Sequence, residues 1–346
     1  MSPSRSSSSS LRPRRAVQAD AALGTGLRGM AGRTVHRLAP SGLASRAGRA
    51  RFPLAPPSWP ESVPRPAPEH HLGADYDTAW SRKYPVRLAR AMLLDNVTRP
   101  LTKVIASPDI RGAEYLNDVE APVIFAANHA SHVDTALLLS SLPLRFRHKT
   151  VVAAAADYFF DRRWKADVWA FALAAIPFER AKVNRRSAAL AVELLADGWN
   201  LVIFPEGGRS PDGWGQTFRP ASAAYLAERS DRPVVPVHLE GTRHILPKGG
   251  GGLRRTPTTV LFGSPLQPDE CEDVRAFGTR IEAAVAALAD EGSTDWWTAR
   301  KQAAAGTTPA LQGPSVAPWR RSWALPPREG PVSTEPDGSE WPLRTR

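Results

Sequence analysis

Two polar clusters in this chain have the residue types and spacing that chemistry needs. The first is Asn128-His129-Ala130-Ser131-His132-Val133-Asp134, with a histidine and an aspartate five positions apart. Near neutral pH an imidazole can take a proton from a hydroxyl and pass it to a leaving group. It needs a partner to fix its tautomer, and Asp134 is the candidate. On a continuous helix five residues turn through about 500°, which puts the two side chains on different faces. A loop at His129 turning into a helix that carries Asp134 lets the carboxylate fold back onto the ring. That is the logic of a His–Asp pair working without a protein nucleophile. The second cluster, Phe204-Pro205-Glu206-Gly207-Gly208-Arg209-Ser210, combines a carboxylate, a backbone that other groups can approach closely at Gly207, and the fixed donor fork of Arg209. Blander readings exist for each. His129 can be satisfied by backbone while Asp134 caps a helix, the arginine can belong to a surface ion pair, and His129, His132 and Asp134 are also metal-ligand types. No further anchored cluster accompanies that last reading.

Both clusters follow short apolar runs, at 122–127 and 200–204. Polar groups at the ends of two buried strands can converge on one crevice, where open α/β sheets bind ligands. The rest of the centre alternates in the same way. Strands are expected at 122–127, 150–155, 176–178, 200–204, 234–239 and 258–262, and helices near 132–141, 160–173, 185–197, 219–229 and 272–290. Asn184 and Gly198 bracket the third of these helices as cap and stop. The alternation predicts an α/β fold with a mostly parallel or mixed central sheet flanked by helices. The strand at 258–262 is the one expected to reverse, because a glycine-rich loop, Gly249 to Gly252, precedes it. Ahead of the sheet, Trp80 to Lys103 reads as one or two amphipathic helices with an apolar face at Leu88, Met92 and Leu93. Such a segment can lie in a membrane interface or pack on the core.

Charge is uneven along the 346 residues. Residues 1–70 hold eleven arginines against three acids, 301–346 hold six bases against four acids, and 71–300 hold 28 bases against 27 acids. The net charge of +11 is therefore mostly a property of the two ends, and it gives no support to a nucleic-acid-binding core. The ends are rich in Pro, Gly and Ser and lack sustained periodicity, which predicts disorder. The single Cys271 forms no internal disulfide and offers no thiolate cluster. No run of 18 uncharged apolar residues predicts a transmembrane helix. The first residues lack the continuous apolar stretch of a secretory signal, and their Arg/Ser-rich, acid-poor character leaves a transit peptide as a second reading. Arginine outnumbers lysine 38 to 7, which fits a GC-rich genome and a bacterial source.

The two clusters together resemble the signature of the glycerolipid acyltransferase family, the lysophosphatidic acid acyltransferases and their relatives. That family carries N-H-x4-D in its first motif and F-P-E-G-x-R-S in its third. Its second motif, Gly-x-x-x-x-x-Arg, is matched by Ala174 to Arg180 except for alanine at the glycine, and its V-P-V strand by Val235-Pro236-Val237. Four motifs stand in the family's order over about residues 115–265. The resemblance implies His129, directly after the asparagine, as base rather than His132, with Asp134 as its partner. It implies that Arg180, Glu206, Gly207 and Arg209 bind substrate, with Glu206 serving the acceptor or supporting the catalytic loop. It also implies a fatty acyl group moving from acyl-CoA or acyl-carrier protein to the hydroxyl of a lysophospholipid, 1-acyl-glycerol-3-phosphate being the first choice. Glycerol-3-phosphate or another lysolipid is the alternative acceptor, and a thioesterase the rival chemistry. No metal or organic cofactor is implied beyond the acyl thioester. Peripheral attachment to the cytoplasmic side of a membrane follows from the substrate. The expected organisation is a disordered basic tail at 1–72, an amphipathic helical segment at 75–110, an acyltransferase domain at 111–295 and a disordered tail at 299–346.

Overall fold

The computed structural model describes residues 72–179, 185–219, 222–246, 252–316, 320–321 and 325. The expectations placed on residues 1–71, Arg180, Asn184, Pro220, Ala221, the glycines at 249–251 and most of the final thirty residues lie outside that range. A seven-stranded sheet forms the centre, with strand order β1-β7-β6-β2-β5-β3-β4. Its middle is made by β2 (Ile124–Ala127), β5 (Asn200–Ile203) and β6 (Val234–Glu240), every residue of which is buried except Glu240. Short continuous apolar runs of this kind belong to parallel strands covered on both faces. Outside β5 lie β3 (Thr150–Ala155) and then β4 (Ala175–Phe178), both parallel to it. On the other side β7 (Thr258–Phe262) runs antiparallel to β6, the reversal expected from the sequence. The sequence does not announce β1 (Pro108–Arg111), which pairs in parallel with β7 at the edge and leaves three of its four residues exposed.

Alternation along β2 divides the core. Ile124 and Ala126 face α7 (Arg185–Ala196), α8 (Ala223–Ser230) and α10 (Val274–Ser293), meeting Ala191, Leu195, Leu226 and Ile281. Phe125 and Ala127 face α3 (Val133–Ser141) and α4 (Leu144–Arg147), meeting Leu137, Leu138 and Phe146. Phe125 is fully buried and makes edge contacts with Phe146 at 5.7 Å and Phe262 at 6.5 Å between centroids. Burial of such a side chain contributes about 1.5–3 kcal/mol. The stop expected at Gly198 is present: at φ +77° it lets its own amide donate to Leu195 O and the Trp199 amide donate to Leu194 O, which closes α7.

The N-terminal segment is α1 (Tyr84–Leu93), a π-helical turn at Leu94–Thr98, and α2 (Arg99–Ala106). Leu88, Met92, Val97, Leu101 and Val104 are all exposed, whereas Leu94 is buried and Leu93 partly so. The spacing of that exposed stripe is four, five, four and three residues. The five-residue step falls on the π turn, which inserts one residue per turn and keeps the stripe on one side. Asp95 in the same turn accepts from Arg147 Nη1 at 2.8 Å and pairs with His148 Nε2 at 2.7 Å, fastening the segment to α4. Beyond α10, α11 (Trp296–Ala305) begins at an Asp295 cap, and Leu311 is buried against the core. The segment expected to be disordered from 299 is therefore structured at least as far as Val316. Among the described residues, no helix is long and apolar enough to cross a membrane.

Candidate active site

The chain leaves β2 at its C-terminal end and makes a short loop before α3. Asn128 opens the loop and clamps it to β6: its Nδ2 donates to Leu239 O at 2.9 Å, and its Oδ1 accepts the Leu239 amide at 2.7 Å. That pair of bonds extends the sheet by one step and fixes where His129 begins. Asp134 sits in the first turn of α3, where the helix dipole favours a carboxylate. It does not cap the helix. Its Oδ2 reaches back, accepts the amides of Ala130 at 2.7 Å and Ser131 at 2.8 Å, and lies 2.8 Å from His129 Nδ1. Asp134 is completely buried, whereas the imidazole is 15% exposed and stacks on Phe204 at 4.3 Å. With Nδ1 occupied, Nε2 is the ring nitrogen left to accept a proton.

The second cluster follows β5. Glu206 Oε1 accepts the backbone amide of His129 at 2.9 Å and Oε2 accepts that of Gln216 at 3.2 Å. Ser210 completes the joint by donating its amide to His129 O at 2.9 Å. The Glu206 side chain is buried, and burial pushes its pKa up to about 8, with the two amides pulling the other way. Glu206 is absent from the lining of the cavity described below, and through its two amide contacts it braces the His129 loop. Gly207 sits at φ +72°, and a Cβ there would come within 2.6 Å of Arg219 Nε. Glycine is needed for both the backbone angle and the approach of that arginine.

A cavity of about 300 Å³ opens beside these loops. Its floor is apolar: Val152 and Ala154 from β3, Trp169 and Leu173 from α6 (Arg163–Leu173), and Ile203 at the end of β5. The alanines of β3 leave the space that α6 overhangs. His129, His132, Glu179, Arg209 and Arg219 give the cavity its polar part. His132 is stacked against Tyr158, and its pKa is lowered by burial and then by the charges of Arg209 and His129. His238 is a further buried histidine behind the site, held down to about 4 by loss of hydration.

The structure thus brings His129, Gly207 and Arg209 to one cavity, with Asp134 and Glu206 holding the His129 loop, and Arg180 lies outside the described residues. Phe204, Gln216 and Arg219 complete the site without having been singled out for it. Phe204 and Arg219 belong to recognisable stretches, but nothing in the sequence points to Gln216. Among the described residues, no three His, Cys, Asp or Glu side chains are grouped to hold a metal ion.

Residues 107–240 match the family model described as Acyltransferase. The chain carries an acyltransferase-family domain. Its acyltransferase domain is similar to a chloroplastic 1-acyl-sn-glycerol-3-phosphate acyltransferase of Brassica napus, 31% identical over 176 residues, which cover 48% of this chain and 48% of the relative. An enzyme of the same name from Cocos nucifera is 28% identical over 199 residues, covering 54% and 59%, and a chloroplastic one from Arabidopsis thaliana is 30% identical over 169 residues, covering 47% and 45%. The chain spans about half the length of the curated relatives it matches. The crystal structure of the 1-acyl-sn-glycerophosphate acyltransferase PlsC from Thermotoga maritima aligns at 23% identity and a TM-score of 0.48, over 60% of this chain and 83% of that one. Chloroplastic plant enzymes stand among the relatives and give no support to the bacterial source read from composition.

Proposed function

We propose that this acyltransferase domain moves a fatty acyl group from acyl-CoA or acyl-carrier protein to the free hydroxyl of a lysophospholipid, with 1-acyl-glycerol-3-phosphate as the acceptor. The observation that carries the reading is an imidazole fixed at Nδ1 by a buried carboxylate, lining a cavity with an apolar floor and arginines among its polar residues. His129 Nε2 takes the proton from the acceptor hydroxyl, and the oxygen attacks the thioester carbonyl. The tetrahedral intermediate collapses with the thiolate leaving, and His129 returns the proton to sulfur. Asp134 holds the tautomer and stabilises the imidazolium that forms in between. The apolar floor takes the acyl chain, Arg209 takes the acceptor phosphate, and Arg180 is proposed for the same ligand from its motif alone. The thioester is the only co-substrate, and no cofactor enters the scheme.

The acceptor resides in a bilayer, so the protein works at a membrane surface. The stripe of Leu88, Met92, Val97, Leu101 and Val104 supports this, since five apolar side chains in register are exposed on one helical segment. The decisive experiment is a purified-protein screen of acceptors against a few acyl thioesters, read by lipid mass spectrometry. Acylated phosphorylated lipid is the expected product. Release of free fatty acid with no acylated acceptor would make the protein a hydrolase.

A further inference from the structure

We infer that Leu311 to Val316 together with Arg321, C-terminal to the matched family domain, act as a strap that positions the 205–219 loop and with it Arg209. The Gly215 amide donates to Leu311 O at 3.0 Å, and the next residue, Gln216, donates its amide to Glu206 Oε2. Two successive peptide units therefore join the strap to the carboxyl that holds the His129 amide. Gln216 Nε2 also donates to Gly208 O at 3.0 Å, so the residue before Arg209 hangs on the same side chain. Gln312 Nε2 donates to Glu282 Oε1 at 2.6 Å and to Thr217 Oγ1 at 3.3 Å, while Glu282 Oε2 accepts the Phe218 amide at 3.2 Å. At the loop tip Trp214 Nε1 donates to Arg321 O at 3.0 Å, and the Arg321 guanidinium pairs with Asp212 at 2.9 Å. Gly313, at φ +66°, packs against the Trp214 ring, where a Cβ would lie 2.2 Å from the nearest ring atom.

These contacts are aimed at a loop that an acyltransferase must keep in place. Among the described residues, 204–219 hold no helix or strand, and much of that loop is only partly buried. Leu311 anchors the strap in the same core cluster as Phe218. The ordering of the loop is thus met in part by a segment outside the motifs. Leu311 to Val316 and Arg321 act through Gln216 and Gly208 on Arg209, and none of these residues lines the cavity.

The strap rests on the acceptor role proposed for Arg209, and the test separates the two. Gly313→Ala and Gln312→Ala are compared with the wild-type chain for thermal midpoint, hydrogen exchange of the 205–219 amides, and steady-state constants for both substrates. Leu311 stays in place in both variants, so the fold is expected to keep its midpoint. The loop amides should exchange at least tenfold faster. KM for the phosphorylated acceptor should rise by about tenfold, with kcat and the thioester KM nearly unchanged. Loop exchange unchanged in both variants overturns the strap, whatever the kinetics show. Faster exchange with equal rises in both KM values overturns its action through Arg209. A wild-type protein with no acceptor-dependent turnover fails the acyltransferase reading instead, and the exchange result still decides whether the strap holds the loop.

Discussion

Changing Glu206 to glutamine tests how the His129 loop is held. Burial raises the Glu206 pKa from 4.5 to about 8 against the pull of two backbone amides, with the nearby Asp134 and Glu282 charges adding a little. A carboxyl raised in this way keeps its proton in the fold at a pH where the unfolded chain has lost it. Its contribution is fully present below about pH 4.5 and is lost as the pH climbs through about 8. Inside that window stability falls by about 1.4 kcal/mol per unit, so roughly 4 kcal/mol separates pH 5 from pH 8. Glutamine keeps an oxygen for the His129 amide and cannot ionise, so its own curve lacks this slope. The assay is urea unfolding of both proteins at several pH values between 5 and 8. Taking the difference at each pH removes His238, which stays neutral in the fold down to about 4 and weakens both proteins alike in acid. Wild type minus variant should fall by about 4 kcal/mol across the range. A difference that stays flat to within about 1 kcal/mol would show that Glu206 is ionised throughout, and the account of a buried acid would be wrong.

Three further outcomes are expected. His129→Ala should lower kcat by about 10² to 10⁴ with the thermal midpoint kept, and a variant retaining more than a tenth of wild-type turnover would remove His129 as the base. Arg209→Ala should cost about 1.5–3 kcal/mol in use of a phosphorylated acceptor, seen in its KM, and an equal loss with a phosphate-free acceptor would take Arg209 out of that role. Replacing Leu88, Met92, Val97 and Leu101 together by serine should weaken sedimentation with anionic vesicles as much at 1 M salt as at 0.1 M, because apolar contact is not screened where charge attraction is. Binding that disappears in salt for the wild-type chain would assign attachment to charge instead.

His129 and Asp134 were legible because their relation is local: five residues, one loop and one helix start decide it. The parallel centre was legible for a similar reason, since runs such as Leu201-Val202-Ile203 are buried on both faces and read as nothing else. What the sequence hid depends on distant partners. The hold of Glu206 on the His129 loop is invisible in its own motif, because its second oxygen is met by Gln216, ten residues on. Pro108 to Arg111 opens on proline, carries two charges around one isoleucine, and becomes a strand where β7 offers an edge. Leu311 lies in a Pro- and Gly-rich stretch with no periodicity, and its burial comes from Phe218 and the core, contacts that no local pattern encodes. The exposed stripe on the N-terminal helices was half visible. Leu88 and Met92 fit a regular helix, but Val97 joins them only through the π turn.

The two outermost strands of the sheet differ in what they offer another chain. Because the Val152 amide donates to Ala174 O, the alternate peptide groups of β4 at Ala175 and Pro177 point away from β3. At β4 that rim is buried from Ala175 to Pro177 beside Gly73–Asp75, and proline leaves it one donor short, whereas the opposite rim is exposed, where Pro108 opens β1 with Asp109 and Arg111 flanking Ile110. A bare strand edge is a template for another chain, and proline and charge are the means by which it is blunted. Confinement to a surface, the working condition proposed for this domain, raises local concentration and favours such pairing. A charged rim opened by proline, like that of β1, disfavours fusion with the sheet of a neighbouring copy.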